Sequence, residues 1–136
     1  MTTFVPGITP KRAVALYHLN VNPDRLTRIE GSLEDYAHNV CAAGLACHAL
    51  GIKMKTTAGY SDPDPESALA DMLEMPYSHV RGIFRLNDSY HLSFNQVGGV
   101  LTDYFNQEVP AGSAVRSPES IYLADINKYK EVEGGF

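Results

Sequence analysis

Apolar and polar positions along this chain recur mostly with the 3.6-residue period of helices. Thr9-Pro10 reads as a helix start, with threonine as N-cap and proline at the first helical position. Ala13, Val14, Leu16 and Tyr17 then give a broad apolar stripe reaching Leu19, and Asn22-Pro23 breaks it. A short helical turn over residues 24–30 carries Leu26 and Ile29 inward, and Gly31 ends it. Ser32 and Asp35 stand at capping-box spacing, with aspartate where glutamate or glutamine is usual. They predict a central helix over residues 33–50. On it Tyr36, Val40, Ala43, Cys47 and Leu50 share one side, and Cys41, Leu45 and His48 another. Only a narrow polar sector remains, so this helix should be buried nearly all round. Ala42, Ala43, Gly44 and Ala46 would let neighbours pack close, and Gly51 is the stop.

Residues 53–65 form a polar connection with two Asp-Pro steps, Asp62-Pro63 and Asp64-Pro65, which favour loop because residues before proline avoid the helical region. Residues 67–74 read as helix, Met75-Pro76 as a turn, and residues 77–84 as a further helix with Val80, Ile83 and Phe84 inward. Asn87-Asp88 reads as another turn, leaving room for a short β-hairpin over residues 83–94. Ser93 and Gln96 form a second capping box, followed by Val97, Val100, Leu101, Tyr104 and Phe105 at strict helical spacing. Gly98-Gly99 inside that run costs roughly 1 kcal/mol per glycine against alanine, unless close packing or a bend needs it. Ser117-Pro118 opens a last helix with a stripe of Tyr122, Ile126 and Tyr129, and Gly134-Gly135 stops it. The expected fold is mainly α: one compact helical domain over residues 1–136, of five or six helices around the buried central one. Residues 1–8 and 134–136 are tails.

Composition adds limits. The 136 residues suffice for one core, and 44% hydrophobic with 20% charged residues is ordinary for a globular chain. No apolar run approaches the ~18 residues of a membrane span. The first residues, Met-Thr-Thr-Phe-Val-Pro-Gly, lack a basic and an apolar signal region, so the cytoplasm is the expected compartment. Two cysteines make no disulfide framework. On one helix Cys41 and Cys47 would lie ~9 Å apart along the axis and ~120° apart around it. That is too far to pair, which leaves reduced thiols. The net charge is −5. Asp62, Asp64, Glu66, Asp71 and Glu74 lie between Lys55 and Arg81 with no basic residue among them, and those five acids equal the whole excess. Such a field gains nothing from a phosphate backbone and suits a basic patch on a partner protein.

The motifs Cys41-Ala-Ala-Gly44, Ala68-Leu-Ala-Asp-Met-Leu-Glu-Met75 running to Ile83-Phe84, and Ser117-Pro118 resemble those of a family of small phage and prophage proteins. That family's pattern is Cys-Gly-Thr-x-x-Cys-Ala-x-Gly-x-Ala, then an Ala-Leu-Ala helix, then a closing helix introduced by Thr/Ser-Pro. The Cys-Gly-Thr lead is absent here, since His38-Asn39-Val40 precede Cys41. The resemblance implies a helical fold and a phage origin, and no activity.

Several chemistries compete with plain binding. Tyr77-Ser-His-Val80 and Tyr90-His-Leu-Ser93 resemble the histidine strands of NlpC/P60-type peptidases. Cys41, His79 and His91 would then be nucleophile, base and orienting group of a Cys-His hydrolase. Against this, Cys41 would lie about nine residues past the cap of its predicted helix, beyond the turn where the helix dipole lowers a thiol pKa. His79 also reads as helical. His38, Cys41 and His48 would share a helix sector, but His48 is ~10 Å further along than Cys41, too far for one metal ion. Asp62, Asp64 and Glu66 mimic a calcium loop that lacks its glycine and its final glutamate. Residues 68–85 have helix-turn-helix spacing, with Ala70, Val80 and Ile83 where two such helices touch. The first helix is acidic, however, and only Arg81 and Arg85 serve the second. Eight tyrosines without a tryptophan, six of them Tyr60, Tyr77, Tyr90, Tyr104, Tyr122 and Tyr129, are too many to be all buried and are good interface material.

The sequence therefore predicts a small phage-type accessory protein that binds, and thereby inhibits, a host or phage protein. The expected partner surface is Tyr60, Asp62, Asp64, Glu66, Asp71 and Glu74. No catalytic set, metal, cofactor, nucleic acid or membrane is expected, and the pattern carries no signal for an oligomeric state. The Cys-His hydrolase and the helix-turn-helix binder are the alternatives.

Overall fold

The computed structural model describes residues 4–54, 64–110 and 113–130. It is mainly helical. The elements are α1 (Pro10–Val21), α2 (Ala42–Ala49), α3 (Pro65–Leu73), α4 (Tyr77–Asp88), α5 (Phe94–Asn106) and α6 (Pro118–Ala124), followed by a 3-10 turn at Ile126–Tyr129. Helix α1 packs on α2 and α5, and α4 packs on α2, α3, α5 and α6. The buried apolar side chains form one continuous core.

Helix starts follow a common grammar. Thr9, Asp64 and Ser117 each cap a helix whose first residue is proline, and each side-chain oxygen accepts an otherwise orphaned backbone N–H. Ser93 and Gln96 form the expected reciprocal capping box on α5. The glycines inside α5 differ in purpose. A Cβ on Gly98 would collide with the Asn20 side chain of α1, so glycine sets how closely the two helices approach, whereas Gly99 would meet only ordinary contact with Tyr129.

Four expectations are corrected. The central helix is not residues 33–50: α2 begins only after Cys41, which is its N-cap. Asp35 does not cap a helix at Ser32. Its carboxylate accepts the N–H groups of Ala37 and Asn39, each at 2.9 Å, holding a tight turn that competes with helix. His38 adopts a left-handed φ of 63° there, and Tyr36, expected inward, is 99% exposed. Val40 is instead threaded between two segments as isolated bridges, with Ile29 N–H donating to its carbonyl and its own N–H donating to Thr27. The turn at 24–30 is likewise extended loop, not helix. What survives is the burial: residues 42–47 of α2 are all enclosed. A Cβ on Gly44 would strike the backbone carbonyl of Leu33, which crosses α2 closely.

The third correction is the hairpin. Residues 83–88 continue α4, because the side chain of Asn87 is buried and satisfied by tertiary partners. It accepts the Ala42 N–H at 3.0 Å and donates to the Ile29 carbonyl at 2.8 Å. The fourth concerns stripes. On α1 the inward residues are Arg12, Ala15, Leu16 and Leu19, while Val14, Tyr17 and Val21 face solvent. Helix α6 ends at Ala124, with Asp125 in a non-helical conformation, so Ile126 is exposed while Tyr122 and Tyr129 are buried.

Arg12 is fully enclosed. Its guanidinium donates to the carbonyls of Leu73 (2.8 Å), Val5 (2.8 Å), Gly7 (2.7 Å) and Glu74 (3.0 Å), and lies over the rings of Phe4 and Phe105. Burial disfavours its charge, and the nearby Glu74 carboxylate offsets part of that. Arg12→Met is expected to destabilise the protein by about 1–3 kcal/mol in urea unfolding, chiefly because the buried Leu73 carbonyl is left without its donor, while the part-buried carbonyls of Val5, Gly7 and Glu74 can turn to water. Gly44→Ala should cost about 1–3 kcal/mol by overpacking, while Gly99→Ala should be neutral or stabilising by up to about 1 kcal/mol. Equal effects of the two glycine variants would refute the close approach of Leu33 to α2.

Candidate functional site

The two cysteines sit at the core of the helix assembly. Cys41 is the N-cap of α2, and its Sγ accepts the Gly44 N–H at 3.3 Å. A position at a helix N-terminus lowers a thiol pKa. Burial acts oppositely and wins: the Cys41 thiol is pushed up to about 11, and that of Cys47 to about 12. Both residues are fully enclosed and unpaired. The location of Cys41 thus differs from the sequence expectation, which put it deep inside a helix.

The other members of the hydrolase alternative bond elsewhere. His79, in the first turn of α4, shares a hydrogen bond of 2.8 Å with the Tyr104 hydroxyl, and burial lowers its pKa. His91 follows α4 in a left-handed conformation and bonds Glu30 at 2.7 Å, which holds the Glu30 carboxyl below its usual range. No hydrogen bond joins Cys41, His79 and His91.

Of the acidic set, Tyr60 and Asp62 lie outside the described residues. Asp64 is committed as N-cap of α3: its carboxylate accepts the Ser67 N–H at 2.8 Å and hydroxyl at 3.0 Å, which lowers its pKa. Glu66 is half-buried in the first turn of α3, while Asp71 and Glu74 are exposed at its other end. Among the described residues no cation forms an ion pair with Asp64, Glu66, Asp71 or Glu74. Helices α3 and α4 pack together, with Ala70, Val80 and Ile83 buried as their spacing suggests. Arg81 and Arg85 are exposed, and Arg85 is paired with Glu119 at 3.3 Å.

The trio His38, Cys41 and His48, set aside as a metal site on its helical spacing, is spread apart. His38 pairs with Glu34 on an exposed turn, and Cys41 is enclosed. His48 meets residues that the sequence did not single out. Its Nε2 lies 2.7 Å from Asp24 Oδ2, and His18 Nδ1 lies 4.0 Å from the same oxygen. One ligand atom from each of His18, Asp24 and His48 falls within 4.8 Å of the others. His18 stands in the last turn of α1, His48 in the last turn of α2, and Asp24 on the loop between them. The two imidazole centroids are 6.1 Å apart. The ordering signal was a histidine at each of two helix C-termini, but nothing local says that those ends meet.

Among the described residues no helix is long and apolar enough to cross a membrane. Comparison with known proteins finds no family model, no curated protein and no solved structure that matches the chain. The enclosed thiols give a direct expectation: in the native protein Cys41 and Cys47 should react with Ellman's reagent at least about a hundredfold more slowly than in denaturant, because thiolate population and access both fall on burial. Rapid labelling of Cys41 in the folded state would contradict its enclosure.

Proposed function

We propose that the protein is a non-catalytic binding domain that docks the basic patch of a partner protein against α3 and its flanking residues. One observation carries this reading: the carboxylates of Glu66, Asp71 and Glu74 share a short helix and its end, and among the described residues none of them forms an ion pair, Glu74 alone having a cation, the enclosed Arg12, in its neighbourhood. Uncompensated charge of one sign raises encounter rates with an opposite surface and disfavours the wrong partner. The enclosed thiols favour binding over the Cys-His hydrolase. The acidic α3, together with the Arg85–Glu119 pair, favours it over helix-turn-helix contact with nucleic acid. The resemblance to phage and prophage proteins supplies the setting: the partner is a host or phage protein in the host cytoplasm, and binding blocks it.

A second surface has its own observation. Val14, Tyr17 and Val21 lie along one outer face of α1 and are 40%, 53% and 57% exposed. An apolar stripe on a surface helix is also material for protein contact.

Capture from host lysate separates the two. The bait would be the wild type, an Asp71→Lys/Glu74→Lys variant and a Val14→Ser/Tyr17→Ser/Val21→Ser variant. The reading predicts a stoichiometric partner whose affinity falls about tenfold or more in the charge reversal and steeply with salt, as electrostatic docking requires. It also predicts that the α1 variant still binds. Loss confined to the α1 variant would move the surface to the stripe. The absence of any partner would overturn the binding reading.

A further inference from the structure

The geometry points to a divalent transition-metal site, of the zinc class, formed by His18 Nδ1, Asp24 Oδ2 and His48 Nε2, with solvent completing the coordination. These three are the one group of metal-ligating side chains gathered in this way among the described residues. Their chemistry is selective. Two imidazoles and one carboxylate suit zinc and its neighbours, whereas calcium and magnesium ask for oxygen ligands.

Three further features favour a cation here. His18 Nδ1 is buried and has no hydrogen-bond partner. An unsatisfied buried polar atom is costly, and a metal would satisfy it. Both histidines stand in the last turns of their helices, so the carbonyl ends of α1 and α2 both face the region with partial negative charge. Asp24 lies on an exposed loop with its side chain half open to solvent, which leaves room both for adjustment and for water.

The distances are compatible with closure on an ion. Metal–ligand bonds of ~2.0–2.1 Å in a tetrahedron put ligand atoms ~3.3 Å apart. The Asp24–His48 separation of 2.7 Å must open and the Asp24–His18 separation of 4.0 Å must shorten, each by less than an ångström, while the His18–His48 separation, which is within 4.8 Å, must close by at most about 1.5 Å, a movement the exposed His48 side chain can make. The short Asp24–His48 hydrogen bond holds a proton where the metal would sit. A metal taken by Nε2 requires the imidazole to carry its proton on Nδ1 instead, so binding exchanges this hydrogen bond for coordination.

The test is a titration of the full chain with Co2+ followed by visible absorption, with Zn2+ as competitor. The expected result is one ion per chain, displaced by Zn2+, with affinity reduced about tenfold or more by Asp24→Asn and by His48→Ala. Both positions are exposed, and circular dichroism would verify that these variants fold. His18→Ala should act likewise, while His38→Ala and His91→Ala, on other parts of the surface, should leave binding unchanged. No saturable binding, or binding insensitive to Asp24→Asn and His48→Ala, would overturn the site and leave Asp24–His48 as a plain surface pair.

Discussion

Four backbone carbonyl groups converge on one guanidinium. Arg12 projects from α1 into the interior, where it takes the last carbonyls of α3 and two carbonyls of the segment preceding α1. A cation at the carbonyl end of a helix is well placed, because the unpaired acceptors there carry partial negative charge. The planar fork can address several oxygens at once, which a point-charge ammonium cannot. Its faces lie against Phe4 and Phe105. One side chain thereby fixes the N-terminal segment, α3 and the end of α5 relative to α1. The Gly7 N–H donating to the Phe105 carbonyl at 2.7 Å reinforces the same junction.

Asn87 plays the matching part on the other side of α2. It supplies an acceptor to the Ala42 N–H at the start of α2 and a donor to the loop carbonyl of Ile29. Arg28 returns a bond from that loop to the Asn87 carbonyl at 3.0 Å. The irregular stretch before α2 would otherwise bring unpaired backbone groups into the interior, and these bonds, with the Val40 bridges, give it partners. Both buried polar residues among those described thus serve backbone atoms far away in the chain. They specify which loop lies where, while the apolar core supplies the general drive to collapse.

The consequence for function is a division of labour. The core of α2, including both thiols, is given over to packing, and the Sγ of Cys41 does the work of a cap. Chemistry that solvent can reach lies at the periphery: the carboxylates around α3, and the histidines where α1 and α2 end. The second group exists because α1 and α2 pack together with their C-terminal ends adjacent, which sets His18 beside His48.

Much of the secondary structure was legible locally. Thr9-Pro10, Ser93 with Gln96, and Ser117-Pro118 announce helices because capping is a contact between residues two or three apart. Asp64-Pro65 carries the same signal, yet proline's restriction on the preceding residue also suits a loop, and only the helix that follows decides between them. The helical fold, the enclosure of residues 42–47 and the acidic bias of α3 were likewise fixed by composition and period. Three features were settled by tertiary structure alone. Periodicity placed Tyr17 inward and could not foresee Arg12, since a buried cation is tolerable only where distant carbonyls converge on it. It ended α4 at Phe84 and read Asn87 as a turn, because the partners that make a buried asparagine acceptable lie 45 and 58 residues away. And it could not join His18 to His48, which stand thirty positions apart and meet only because two helices pack end beside end. Local sequence determines interactions within a turn or a cap; long-range polar partners are decided by the packed chain, because no single segment contains both halves of the bond.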